Sequence, residues 1–108
     1  MKLSSSAIIT PEKIKGYLLS QRKRNDKSKW LKMAGYGLDN WKALEVDLRN
    51  QILTLDAVFT DKTNYGDVFQ IKGILQGPNG QSLRVCTIWM IEYDSHLTKF
   101  ITMYPERK

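Results

Sequence analysis

The run VFQIKGILQGPNGQSLRVCTIWMI, Val68 to Ile91, decides the fold class. From Val68 to Leu75 the chain alternates, with Phe69, Ile71 and Leu75 on one face and Gln70 and Lys72 on the other. That period of two predicts a half-buried strand. Gly77-Pro78-Asn79-Gly80 follows. Proline presets φ and Asn-Gly tolerates positive φ, so these residues predict a tight turn. Leu83 to Ile91 is apolar on both faces and reads as a central strand.

Beyond this hairpin, Tyr93 to Leu97 reads as a turn and Lys99 to Tyr104 as the last strand, with Pro105 ending it. Upstream, Asp61 to Tyr65 has turn chemistry, and Asp56 to Thr60 reads as an edge strand. The first half has helical periods instead. Ala7-Ile8-Ile9 is an extended lead-in; Thr10 caps a helix whose first position is Pro11, and Ile14, Tyr17 and Leu18 form one apolar face ending near Gln21. Asp26 or Ser28 caps a short second helix with Trp30, Leu31, Met33 and Ala34, and Gly35 stops it. Asp39 or Asn40 starts a third, in which Trp41, Leu44, Leu48 and Ile52 share a face and Glu45 pairs with Arg49 outside. Helices to about Leu55 and a meander afterwards predict an α+β domain, residues 1–108: N-terminal helices packed on a three- to four-stranded antiparallel sheet, one sheet face left open.

Charge is uneven. The first 32 residues carry nine Lys or Arg and two acids, a net of +7; the remaining 76 carry eight and nine, a net of −1. The densest part, RKRNDKSKWLK from Arg22 to Lys32, favours a polyanion partner, because neutralising phosphates releases condensed counterions. The plain alternative is a solvated basic face. The single cysteine, Cys86, permits no internal disulfide and sits in an apolar run, where a buried structural thiol is expected. His96 is the only histidine, so a zinc site built from His and Cys is ruled out and no cofactor is expected. No segment resembles a signal peptide or a membrane span, which makes a cytoplasmic home the expectation.

Several phrases resemble a known family. YGDVFQIKGILQGPNG (Tyr65 to Gly80) is similar to its aromatic-aliphatic strand and G-P-N-G turn. VCTIWMI (Val85 to Ile91) resembles its V-x-T-V-W strand, and FITMYP (Phe100 to Pro105) its closing L-V-T-A-Y-P. KIKGYLLS (Lys13 to Ser20) resembles the opening K-L-x-x-Y-L-L, and KSKWLKMAGY (Lys27 to Tyr36) the segment K-A-x-F-F-x-x-x-G-F. The family is a bacterial domain of unknown function. It occurs alone beside a small antitoxin-like gene, and as the terminal domain of phage head-morphogenesis proteins and polymorphic toxins. The resemblance covers almost the whole chain and implies a small toxin akin to the barnase, EndoU, colicin and RelE type of ribonucleases. The family's lysine before the second helix falls on Lys27, and its aromatic pair on Trp30 and Leu31, the second a departure from Phe. Its strand threonine and tryptophan fall on Thr87 and Trp89, its last-strand threonine on Thr102, followed by Tyr104. Its glycine before the lysine is replaced by Asn25, which also tolerates a left-handed backbone.

A metal-independent ribonuclease must remove the 2′-hydroxyl proton, stabilise the phosphorane and protonate the leaving 5′-oxygen; position and charge supply most of the rate. His96 lies in a turn outside the matched motifs and reads as an exposed loop residue. A lysine-centred site follows. Lys27, with Thr102 and Thr87, is the candidate catalytic group; Lys29, Arg84 and Arg24 would hold phosphates, and Trp89 or Tyr104 would stack on a base. Each has a plainer role: Lys27 in the solvated basic face, Trp89 in the core, the threonines in cross-strand packing. Glu92 and Asp94 flank a turn and read as surface rather than a paired acid site. Gly77 to Gly80 lacks the strand-loop-helix context of a phosphate loop.

Three functions compete. The first is the toxin of a type II toxin–antitoxin pair, an endoribonuclease held by a small acidic antitoxin. The second is a non-catalytic protein-binding module: an antitoxin, an immunity protein or a phage-head accessory domain. The third is an RNA-binding domain without catalysis. A pI near 9.5 favours the toxin over its acidic counterpart.

Overall fold

The computed structural model of the chain describes residues 1–21 and 27–106. Four antiparallel strands form one sheet in sequence order: β1 (Val58–Lys62), β2 (Gly66–Gln76), β3 (Ser82–Glu92) and β4 (Thr98–Pro105). Helices precede them, so the fold is α+β, as the change of period predicts.

Register sorts the side chains into two faces. Phe69 pairs with Trp89, Ile71 with Thr87, and Leu75 with Leu83. These residues, with Val85, Phe100 and Met103, are buried. Strand alternation therefore sends Gln70, Lys72, Ile74, Arg84, Cys86 and Ile88 to the opposite face. A bulge between Ile88 and Trp89 brings Thr102 opposite Ile88 and Tyr104 opposite Cys86, so both share that second face. Of this set, Lys72, Ile74, Arg84 and Tyr104 are exposed.

The helices cover the first face. Glu12–Leu18 is a wide, π-type helix; Thr10 Oγ1 accepts from the Lys13 amide at 3.3 Å, and Ile14 and Leu18 are fully buried. It ends at Leu18, a turn earlier than the periodicity predicts. Ser28–Lys32 is the second helix, with Leu31 and Ala34 in the core, Trp30 packed against it and Met33 exposed. A 3-10 turn, Leu38–Asn40, leads into Trp41–Asp47, which widens into a π turn, Leu48–Ile52. Leu44, Leu48 and Ile52 are wholly buried on its inner face. Full burial of such a side chain contributes about 1.5–3 kcal/mol. Glu45 and Arg49 pair at 3.2 Å as expected, but half-buried, because Arg49 Nη1 also donates to Ala7 O at 2.8 Å.

The hairpin turn has a tertiary job. Asn79 Nδ2 donates to Met33 O at 3.1 Å, and Gly77 packs against the Ala34 backbone. The turn thus closes off the C-terminal end of the second helix, whose reversal at Gly35 uses φ of +95°.

The two sheet edges differ. Ile8 lies parallel to Lys99, its amide donating to Thr98 O at 2.8 Å and its carbonyl accepting from Phe100 at 2.9 Å, so the lead-in segment covers β4. All five residues of β1 are exposed at the other edge. β1 begins at Val58 rather than Asp56, because Asp56 bridges Lys2 and the Ala57 amide bonds Met1 O. It continues through Asp61 and Lys62, where the turn chemistry predicts a loop.

Candidate functional site

The second helix delivers Lys27 to the sheet. Lys27 is the residue before that helix, and its carbonyl accepts from the Leu31 amide at 3.0 Å. Its ammonium donates to Thr102 Oγ1 at 2.9 Å and more weakly to Tyr17 Oη at 3.4 Å. The Thr102 and Tyr17 hydroxyls are themselves 3.4 Å apart. The ammonium lies 5.1 Å from the Tyr17 ring centroid, within cation–π range. Lys13 approaches the same ring at 5.7 Å. Three elements far apart in sequence thus converge: the first helix, the start of the second and the last strand. All three central side chains are half-buried.

Among the described residues no carboxylate pairs with Lys27. A half-buried cation held by two hydroxyls rather than an acid keeps its charge available to an anion from solution. An ammonium with flanking hydroxyls can stabilise negative charge and can donate hydrogen bonds to phosphate oxygens.

The other candidates fall in different places. Thr87 is wholly buried on the helix-covered face; its hydroxyl donates to Ile71 O at 2.9 Å and accepts from Trp89 Nε1 at 2.7 Å. Trp89 is also fully buried, with its ring edge-on to Phe100 at 5.1 Å. These two satisfy each other inside the core, on the opposite side of the sheet from Thr102. Arg84 and Tyr104 do lie on the open face. Arg84 sits four positions along β3 from Ile88, the partner of Thr102, roughly 13 Å at 3.3 Å per residue. Lys29 is exposed on the second helix and lines a separate groove with Lys32, Leu38 and Asp39. Arg24, the turn expected at Asn25 and the alternative cap at Asp26 lie outside the described residues, as do Arg22 and Lys23 of the basic cluster.

Tyr17 is the site residue that sequence reasoning did not single out. Its place on the apolar face of the first helix suggested packing. The signal was its hydroxyl, on a helix whose other inward residues are aliphatic, within the KIKGYLLS phrase.

Tyr104 is exposed beside the cluster, and its hydroxyl is bonded to Cys86 Sγ at 3.4 Å. The bond to Cys86, then partial burial, raises its phenol above the ordinary value, so the ring stays neutral. Cys86 is buried, as expected for a structural thiol, and also contacts Gln70 Oε1 at 3.6 Å. His96 is exposed in the turn after β3, with a left-handed φ of 57°. Glu92 pairs with Lys99 at 3.1 Å and accepts from Ser95 at 2.8 Å. The Ser95 bond first, then Lys99, lowers its carboxyl below the ordinary value.

This arrangement can be set beside known proteins. Residues 2–107 match the family described as Domain of unknown function (DUF6883). The chain belongs to this family. No curated protein matches it in sequence. In structure, a DUF6883 fold of this kind resembles a chain of the contact-dependent growth inhibition toxin–immunity protein complex from Klebsiella pneumoniae 342, with a TM-score of 0.63 over 93% of this chain and 100% of that one. At 18% identity the likeness is one of fold. Among the described residues of this DUF6883 chain, no helix is long and apolar enough to cross a membrane.

Proposed function

We propose that this chain is the toxin of a toxin–antitoxin pair, a metal-independent endoribonuclease that stabilises its transition state at Lys27, Tyr17 and Thr102. The observation that carries this reading is the Lys27 ammonium, bonded to Thr102 at 2.9 Å and to Tyr17 at 3.4 Å with no carboxylate partner among the described residues. The chain's net charge of +6 suits an RNA substrate.

In such a reaction the 2′-oxygen attacks the adjacent phosphorus and loses its proton to solvent water. The P–O5′ bond breaks, leaving a 2′,3′-cyclic phosphate, and the 5′-oxygen takes a proton from water. Negative charge builds on the non-bridging oxygens between these events. Lys27 meets that charge, and the Thr102 and Tyr17 hydroxyls hold the ammonium in place so that little reorganisation is needed. Thr87 stays outside the reaction, supporting β2 and Trp89 from within the core.

A protein partner belongs to the same proposal. The structural neighbour belongs to a complex of a growth inhibition toxin with an immunity protein, which supports a protein partner here. A pI near 9.5 favours the toxin role here, with a small acidic antitoxin as the complement. The test is induced expression in a bacterial host, with growth and total RNA followed together. Wild type is expected to arrest growth and fragment RNA, and a folded Lys27→Ala protein to do neither. Normal growth with intact RNA under wild-type induction would overturn the proposal.

A further inference from the structure

The sheet face turned away from the helices has a graded chemistry. At one end stands the Lys27–Thr102–Tyr17 cluster, and at the other the exposed Arg84. Among the described residues neither cation pairs with an acid, whereas Lys72 is paired with Glu106 at 3.9 Å and Lys99 with Glu92 at 3.1 Å. Cys86 lies midway along β3 between Arg84 and Ile88, and Tyr104 is directly opposite it. The bond from Cys86 to the Tyr104 hydroxyl draws the ring across the strand gap rather than off the edge, with the residue 40% exposed. Gln70 adds an amide beside the same thiol.

We infer that this face binds single-stranded RNA, laid from the Lys27 cluster over the Tyr104 ring to Arg84. The inference rests on the ribonuclease reading above. Arg84 and Ile88, the strand partner of Thr102, stand roughly 13 Å apart along β3, a spacing that suits contacts to different phosphates of one strand. The aromatic ring between them offers a stacking surface to an intervening base. Only an unpaired base can be splayed onto such a ring, since a duplex keeps its base faces stacked internally. The uncovered sheet leaves room for this along its length.

The experiment is fluorescence anisotropy with a labelled twelve-nucleotide 2′-O-methyl RNA, which cannot be cleaved because its 2′-oxygen is blocked. The strand is compared alone and annealed to its complement. The single strand is expected to bind about tenfold tighter or more. Tyr104→Ala is expected to weaken it about tenfold, while Tyr104→Phe, which keeps the ring, restores most of the affinity. Arg84→Ala is expected to reduce the slope of log affinity against log salt by about one. Thermal melts confirm that each variant is folded. Equal or tighter duplex binding, or a folded Tyr104→Ala with unchanged affinity, overturns the inference. If RNA is nevertheless fragmented in the induction experiment, the ribonuclease reading stands and only the single-strand track fails. Binding of neither form, with RNA intact in cells, removes both.

Discussion

Lys27 and Thr102 are joined by a 2.9 Å hydrogen bond across a separation of 75 positions. The bond ties the start of a five-residue helix to the last strand of the sheet. It fixes an ammonium against the face that the helices leave uncovered. Tyr17, from the first helix, closes the group at 3.4 Å from each.

Replacing Lys27 by alanine in purified protein is expected to lower RNA cleavage about a hundredfold, the usual cost of removing one preorganised charge from a transition state. Stability is expected to fall by about 1–2 kcal/mol, from the lost hydrogen bond and cation–π contact. Single-turnover cleavage and urea unfolding measure the two separately. Undiminished cleavage by a folded variant would place the chemistry elsewhere.

Tyr17→Phe keeps the ring under the ammonium and removes only the hydroxyl. Cleavage is expected to slow about tenfold, with stability changed by about 1 kcal/mol or less. A rate equal to wild type would assign Tyr17 to packing alone.

Gly77→Ala tests the docking of the hairpin turn on the second helix. A Cβ at Gly77 would collide with the Ala34 carbonyl oxygen and lie 2.6 Å from Ala34 Cβ. Backbone stands on one side of this contact, so relief requires the turn to shift. A loss of about 1–3 kcal/mol is expected in the urea midpoint. Because the same helix carries Lys27 at its start, cleavage is expected to fall with stability. A variant that melts like wild type would show that the turn is not held by this approach.

Tyr36 is buried, and its hydroxyl donates to Asp47 at 2.6 Å and to Gln76 O at 3.3 Å. Burial first, then Asp47, raises the phenol far above its ordinary range. Its folded pKa therefore exceeds the unfolded one, so the contribution to stability is complete below about pH 10 and declines as pH rises beyond it. Tyr36→Phe is expected to cost about 1–3 kcal/mol at neutral pH, by leaving Asp47 without its donor. It is also expected to flatten the loss of stability above that pH. Denaturant titrations at neutral and alkaline pH measure both, and parallel curves for the two proteins would contradict the assignment.

The local periods of this chain determined its elements. Phe69, Ile71 and Leu75 could bury together only on a strand, and Leu44, Leu48 and Ile52 only on a helix, because the spacing of apolar side chains dictates which backbone places them on one side. Gly35, Pro11 and the Gly77-to-Gly80 turn marked ends by backbone restriction, again a local property. The lysine and threonine of the candidate site were legible through the family's phrases. Which face each strand residue meets was decided by the tertiary structure. Leu83 to Ile91 is apolar on both sides, so its pattern did not tell that Thr87 and Trp89 bond each other in the core while Arg84 and Cys86 take the other face of the sheet. The bulge that sets Thr102 opposite Ile88 is likewise a matter of strand pairing. Tyr17 joined the site only when the first helix came to rest beside β4. Contacts between distant segments depend on packing and register over the whole sheet, and those are properties of the assembled chain rather than of any one stretch of it.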